Sequence, residues 1–200
     1  TATLTSMLAQ LPTNLYARSL ERLIVMGKVS YTGVSNYPVT LIEELRSSFS
    51  FTDIVSMRYQ FNLIERWAEV ELISYTEAND LTFIRGAARK GLLTGKYTPE
   101  NPPQFTDLRS SDPLFHPENY KKIGELLGTL RKLGEKYNKT PAQIAINWLV
   151  KRVLSSSNTG AKSPQHVEEN AGSIGWELSY EDWRLLDDII KSIKITYVIW

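Results

Sequence analysis

The sequence predicts an α/β fold, because extended runs and helical runs alternate along its 200 residues. About five strand-helix pairs follow one another, and residues 193–199 add one more short strand or an apolar tail. No repeat, low-complexity tract or linker interrupts them. We therefore expect a single α/β domain over residues 1–200, built as a barrel or as an open doubly wound parallel sheet.

The first pair opens with a Thr-rich run, residues 1–11, whose composition is compatible with a strand. The Pro-Thr-Asn sequence at 12–14 ends this strand and is expected to cap the helix that follows. Residues 16–26 carry apolar side chains three and four positions apart, which predicts a helix with one buried face. Gly27 ends that helix.

The next two pairs repeat the pattern. Residues 29–34 form an extended run, and the Ser-Asn-Tyr-Pro sequence at 35–38 turns it into a helix with apolar residues at 41, 42 and 45. Residues 54–61 are the third extended run, and residues 68–79 the third helical run. Both faces of a parallel sheet are buried by such helices.

The later elements are marked by capping signals. Residues 81–84 form the fourth extended run, and a long loop without periodicity follows it; such loops in compact domains are often functional. Residues 120–137 are amphipathic and predict one helix. Thr140 and Gln143 form a capping box around Pro141 at the start of the next helix, and Ser179 caps a last one.

Residues 153–170 are predicted to form a strand, a turn at Gly160 and the start of a helix. Ser163 is the N-cap candidate, and Pro164 occupies the first helical position. Free backbone amides and the positive end of the helix dipole can bind an anion there, and Lys162 adds a full charge. The alternative is an ordinary turn with a solvated lysine.

Composition excludes several classes of function. A net charge of +1 argues against nucleic-acid binding, and the absence of Cys excludes disulfides and thiolate chemistry. With only His116 and His166, no metal site is expected. No apolar run approaches the ~18 residues of a membrane span, and no signal peptide is evident, so we expect a soluble cytoplasmic protein without membrane contact.

Ligands of parallel α/β folds bind at the carboxyl ends of the strands. The residues that this rule places around one rim are Gln10, Ser35, Asn36, Gln60, Asn62, Arg85 and the turn after Ser157. Arg58 and Arg85 lie in strand-like runs, where a charged side chain is costly unless it has a partner. Each is expected to bind an anion or to pair with a carboxylate within the protein, and the pairing with a carboxylate is favoured. The acidic pairs 43–44, 168–169 and 187–188 are expected on solvated helix faces.

Five groups of motifs, in a fixed order, resemble those of the aldo-keto reductases. They are GKV with GVSN (27–36), NLIER (62–66), GLLTGKY (91–97), TPAQ with WL (140–149), and GAKSP with VEEN (160–170). The resemblance covers nearly the whole chain. It implies a partial (β/α)8 TIM-type barrel of about five β-α units, the family's fourth through eighth. A flavodoxin-like open parallel sheet is the alternative.

The resemblance also implies NADP as cofactor and a small carbonyl compound as substrate. Ser35 and Asn36 match the residues that bind the nicotinamide carboxamide, and Arg58 stands where the family has a Gln. The positions that match the phosphate and adenosine contacts are Gly160, Ala161, Lys162, Ser163, His166, Glu169 and Asn170. Arg85 stands where an aromatic residue stacks on the nicotinamide.

No catalytic residue is implied for this chain. The family's catalytic Asp, Tyr and Lys precede the matched part. Residues 4–10 match the fourth strand, near whose end the family has its catalytic His, and they contain no His. One interpretation is an NADP-dependent oxidoreductase that is inactive alone. The other is a non-catalytic half-barrel, degenerate or engineered, that pairs its open sheet edges with a second copy in a homodimer or with a second chain.

Overall fold

The computed structural model describes residues 2–5, 12–86, 89–97, 101, 104–106, 108–150, 156–158, 160–161 and 163–194. Strands and helices alternate over most of this range, and an α/β fold with a parallel sheet is confirmed. The strands are β1 (Ala2–Thr5), β2 (Thr32–Ser35), β3 (Ile54–Tyr59), β4 (Thr82–Gly86) and β5 (Ser156–Asn158). The helices are α1 (Thr13–Val25), α2 (Val39–Ser48), α3 (Leu72–Ala78), α4 (Pro117–Lys122), α5 (Gly124–Tyr137), α6 (Pro141–Val150), α7 (Pro164–Ala171) and α8 (Tyr180–Ser192). Short 3-10 helices cover Trp67–Glu69, Arg89–Thr94, Leu108–Ser111 and Pro113–Phe115.

The chain divides into two compact units. The first comprises residues 1–61 and 65–86, and the second comprises residues 62–64 and 87–200. Strands β1 to β4 and helices α1 to α3 belong to the first unit, while β5 and α4 to α8 belong to the second. The expectation of a single domain over residues 1–200 stays a prediction.

The sheet of the first unit has one buried face, and most of its side chains are apolar. Strands β1 to β4 lie side by side in chain order and all pairs are parallel. Because side chains alternate along a strand, Val34, Met57, Tyr59 and Phe83 share one face, and each is at most 2% exposed. The buried helix side chains of this unit include Ala17, Leu20, Ile42, Leu45 and Leu72.

The opposite face of the same sheet is polar. Gly33 and Ser56 are partners in the β2–β3 register, and Ser35 and Arg58 are the next pair on that face. A Cβ on Gly33 would lie 2.4 Å from Oγ of Ser56, so only glycine allows the two strands to approach so closely. This spacing places Ser35 directly beside Arg58 at the carboxyl ends of both strands.

The second unit is a helical core around α5, α6 and α8. Leu130, Ile144, Trp148 and Leu186 have no exposed surface, and the Trp148 ring stacks on Trp183 with 5.6 Å between centroids. The predicted capping box at the start of α6 is confirmed. The Thr140 amide donates to Oε1 of Gln143 at 2.9 Å, and the Gln143 amide donates to Oγ1 of Thr140 at 3.2 Å.

Three predicted helix boundaries are wrong. The helix expected over 120–137 is interrupted at Ile123, whose ψ is 0°, directly before Gly124, a poor helix former. The helix expected over 68–79 is interrupted at Glu71, whose backbone is not helical. Helix α1 begins already at Thr13, whose hydroxyl donates to Glu44 instead of capping the helix.

Candidate cofactor site

Three of the predicted site residues meet where β2 and β3 end, and we call Ser35, Asn36 and Arg58 the strand-end group. Ser35, the last residue of β2, pairs in register with Arg58. The amide of Asn36 donates to the carbonyl of Arg58 at 3.1 Å. Ser35 is buried, whereas the side chains of Asn36 and Arg58 are exposed. The fold therefore assembles the group that the resemblance implied.

The chemistry of the strand-end group fits a carboxamide. Such a group presents an acceptor oxygen and an NH2 donor, and the Asn36 amide and the Ser35 hydroxyl can each donate and accept. The Arg58 guanidinium donates only, so it suits the carboxamide oxygen. The Arg58 side chain is exposed, and the favoured interpretation of an internal ion pair for this residue stays a prediction.

Two residues expected at the open rim are buried instead. Arg85 lies on the packed face of β4 with Phe83 and has no exposed surface; burial lowers the pKa of its guanidinium to about 10. Asn62 is also fully buried, and its Oδ1 accepts the amide of Ile64 at 3.0 Å. Gln10 lies outside the described residues. The rim was therefore predicted only in part.

A hydrogen bond that the sequence did not predict supports the turn at the strand-end group. Asn36 has φ +59°, in the left-handed region. Directly after it, the carbonyl of Tyr37 accepts a hydrogen bond from the hydroxyl of Tyr59, which is buried in β3. Burial raises the pKa of Tyr59, so the phenol stays a donor. In the sequence Tyr59 is an apolar strand position with no sign of this contact.

The predicted strand-turn-helix junction is confirmed in the second unit, where β5 precedes α7. Oγ of Ser163 accepts the amide of His166 at 3.3 Å, so Ser163 is the N-cap, and Pro164 occupies the first helical position. Pro164 has no N–H and the His166 amide is engaged. Among the described residues the amide of Gln165 has no hydrogen-bond acceptor, and an anion at this junction would depend on neighbouring side chains as well.

The other predicted residues of this junction form what we call the helix-start group: Gly160, Ala161, Ser163, His166, Glu169 and Asn170. Gly160 and Ala161 are exposed, and Nδ2 of Asn170 donates to the carbonyl of Gly160 at 3.4 Å. Nε2 of Gln143 donates to the Glu169 carbonyl at 2.9 Å and so ties α7 to α6. Lys162 lies outside the described residues. This group belongs to the second unit, and the strand-end group belongs to the first.

A polar residue of α6, Asn147, was missed by the sequence analysis. Its Nδ2 donates to the carbonyls of Ser173 and Trp176 at 2.9 and 2.8 Å, and its Oδ1 accepts the Leu178 amide at 3.2 Å. It also lines an open cleft of about 370 Å³. Because all three polar contacts of Asn147 go to backbone, its role there is to hold the loop between α7 and α8.

Acidic side chains of the described residues do not converge on a metal site. No three His, Asp or Glu side chains among them are placed to share a metal ion. Asp187, expected on a solvated face, is only 5% exposed and contacts Nζ of Lys191 at 2.6 Å. None of the described helices has the length and apolar character needed to cross a bilayer.

Comparison with known proteins agrees with this architecture. The chain is 28% identical over 179 residues to the aldo-keto reductase YhdN of Bacillus subtilis. The matched segment covers 88% of this chain and 53% of that protein. It is 27% identical over 177 residues to the NADH-specific methylglyoxal reductase of Escherichia coli, again covering 88% and 53%. The chain thus spans about half the length of these relatives.

Solved structures give the same result. The glycerol dehydrogenase AKR11B4 of Gluconobacter oxydans superimposes with a TM-score of 0.82 at 28% identity, over 95% of this chain and 57% of that one. The model of the aldo/keto reductase family matches residues 8–191. Because this match covers more than nine-tenths of the sequence, the chain belongs to the aldo/keto reductase family.

Proposed function

We propose that this chain is the cofactor-binding portion of an NADP(H)-dependent carbonyl reductase, folded as the partial (β/α)8 barrel that its relatives suggest. The observation that carries the proposal is the convergence of Ser35, Asn36 and Arg58 at the carboxyl ends of two parallel strands. In α/β folds this is where ligands bind. The polar atoms of the group match those of a carboxamide.

The two groups are proposed separately, the strand-end group for a carboxamide and the start of α7 for a phosphate. In the first unit Ser35 and Asn36 would hold the carboxamide by donating to its oxygen and accepting from its NH2, with Arg58 as an additional donor to the oxygen. In the second unit the Gln165 amide, the α7 dipole and Lys162 would attract a phosphate. When bound, the nicotinamide supplies the hydride for carbonyl reduction.

We also propose that the chain does not reduce carbonyls by itself. Hydride transfer to a carbonyl requires a proton donor at the carbonyl oxygen. In the family this donor and its supporting Asp and Lys precede the part that the resemblance covers, and the segment that matches the catalytic His has none. Carbonyl reduction would therefore require a proton donor from outside residues 1–200.

The test is a fluorescence titration with NADPH and, separately, with NADH. Lys162→Ala should weaken NADPH binding about tenfold or more, because a charge-assisted contact to phosphate contributes about 1.5–3 kcal/mol. NADH, which lacks the 2′-phosphate, should be affected less. Lys121→Ala, at an exposed position of α4, is the matched control and should leave both affinities unchanged. Absence of NADPH and NADH binding by the unmodified chain at millimolar concentrations would refute the proposal.

A second function, association with another copy of the chain to complete the barrel, is favoured by α7. None of its eight residues is buried, and Val167 is 57% exposed. Ile174, in the segment after α7, is 63% exposed. A helix that buries no side chain within its own unit has an exposed surface that an element of another copy can cover.

Sedimentation equilibrium should then show a dimer that Val167→Glu dissociates. Tyr180→Glu, at a residue of α8 that is 61% exposed, is the control for added charge and should leave the dimer intact. An unmodified chain that sediments as a monomer at high concentration would rule out this function.

A further inference from the structure

The turn after β2 is held in a conformation that an asparagine adopts at a cost. The other described non-glycine residues with positive φ, Asp80 and Asn138, each follow a helix, where a left-handed residue is a common way to end it. Asn36 instead joins a strand to the α2 helix, at φ +59°. Such a conformation persists when the surrounding contacts determine it, and it is common at binding sites.

Two contacts from the end of β3 determine this turn. The carbonyl of Arg58 accepts the Asn36 amide at 3.1 Å, and the hydroxyl of Tyr59 donates to the carbonyl of Tyr37. The first contact fixes the peptide before Asn36 and the second fixes the peptide group after Tyr37. The segment formed by Asn36 and Tyr37 is therefore held at both ends.

The Tyr59 ring is itself held firmly, so its hydroxyl has a defined position. The ring stacks on Phe83 with 5.9 Å between centroids and 12° between planes. Trp67 meets it edge to face at 5.5 Å. Only 2% of Tyr59 is exposed, so water does not compete effectively for its hydrogen bond.

We propose that Tyr59 is a positioning residue for the nicotinamide carboxamide: its hydroxyl anchors the Tyr37 carbonyl and thereby keeps Asn36 in the left-handed conformation that presents its side-chain amide. This inference rests on the proposed cofactor function and names a residue that does not itself touch the cofactor. Binding geometry has to be held within about 0.5 Å, and packed side chains with fixed hydrogen bonds achieve this.

The test compares Tyr59→Phe with Tyr16→Phe. Among the described residues the buried hydroxyls of Tyr16 and Tyr37 have no hydrogen-bond partner, so Tyr16→Phe removes the same atom from the same unit without breaking a hydrogen bond. Each variant is titrated with NADPH and with 2′,5′-ADP, which has the 2′-phosphate and adenosine but no nicotinamide. Amide hydrogen exchange at Asn36 is followed in the free protein.

Tyr59→Phe should weaken NADPH binding about fivefold, corresponding to one net hydrogen bond of about 1 kcal/mol. It should leave 2′,5′-ADP binding unchanged and should accelerate exchange at Asn36, while Tyr16→Phe changes none of the three. A purely structural role would weaken both ligands together, and that result overturns the inference. So does unchanged NADPH affinity in Tyr59→Phe.

Failure of the proposed function gives a different result. If the unmodified chain binds neither NADPH nor 2′,5′-ADP, the proposed function is wrong and the role of Tyr59 falls with it. If the unmodified chain binds both and Tyr59→Phe matches it in affinity and in Asn36 exchange, only the role of Tyr59 is wrong.

Discussion

Replacing Gly33 by alanine is the sharpest perturbation of the sheet that carries the strand-end group. The added Cβ would lie 2.4 Å from Oγ of Ser56 and 2.8 Å from the Ser56 carbonyl oxygen. The hydroxyl can rotate away. The carbonyl cannot, because it belongs to the backbone of β3, which pairs with β2 at this position.

The magnitude follows from that second contact. To reach ordinary van der Waals separation, from 3.4 Å upward, the Ser56 carbonyl must move by about 0.6 Å. Overpacking of this kind costs about 1–3 kcal/mol. Since Gly33 lies two residues before Ser35, the same displacement should also weaken NADPH binding.

Urea unfolding at pH 7 measures the change through the transition midpoint and the m-value. Gly128→Ala is the matched control, because its Cβ meets no atom within 4 Å and alanine in the interior of α5 should stabilise by about 0.5–1 kcal/mol. Adding Ser56→Ala to Gly33→Ala removes the hydroxyl but keeps the carbonyl, so recovery should be partial. A Gly33→Ala variant as stable as the unmodified chain would show that the two strands are not held this closely.

Two further predictions concern polar groups of the second unit. Burial raises the pKa of Asp182, but hydrogen bonds from Lys136, Tyr137 and Ser179 outweigh it and hold the pKa below its ordinary value. The contribution of the Asp182 carboxylate to stability should therefore be full above pH ~4 and should disappear as the pH falls through the lowered pKa. The free energies of unfolding of Asp182→Asn and of the unmodified chain should then converge in acid. A difference between the two free energies that does not change with pH would contradict this. Asn147→Ala leaves three backbone groups without their hydrogen bonds and should lower the free energy of unfolding in urea by at least about 2 kcal/mol. Amide exchange at Leu178 should become faster. An unchanged exchange rate at Leu178 would refute the role of Asn147 in holding the loop between α7 and α8.

Contacts between residues close in sequence were predictable. Ser163 with the His166 amide, Ser179 with the Asp182 amide and the reciprocal pair of Thr140 and Gln143 each span three positions. Residues at that spacing lie within one helical turn, so their types are sufficient to predict the contact. The family motifs identified Ser35 and Asn36 for the same reason, since both lie in one short segment.

Contacts between distant segments were not predictable. Tyr59 and Tyr37 lie 22 positions apart, and Asn147 reaches groups 26 to 31 positions away. The burial of Arg85 was missed because a charged residue in a strand predicts nothing about which face it occupies. A shift of one residue in register moves every side chain of a strand to the opposite face.

The sequence by itself determined the alternation of strands and helices, the caps of α6, α7 and α8, and the motifs of the family. These depend on the period of apolar residues and on contacts within one turn, which act before any tertiary contact forms. Only the tertiary structure decided that Arg58 stands beside Ser35, that Arg85 is buried, and that Tyr59 anchors the turn at Asn36. Those outcomes depend on strand register and on the packing of segments far apart in the chain, which local composition does not specify.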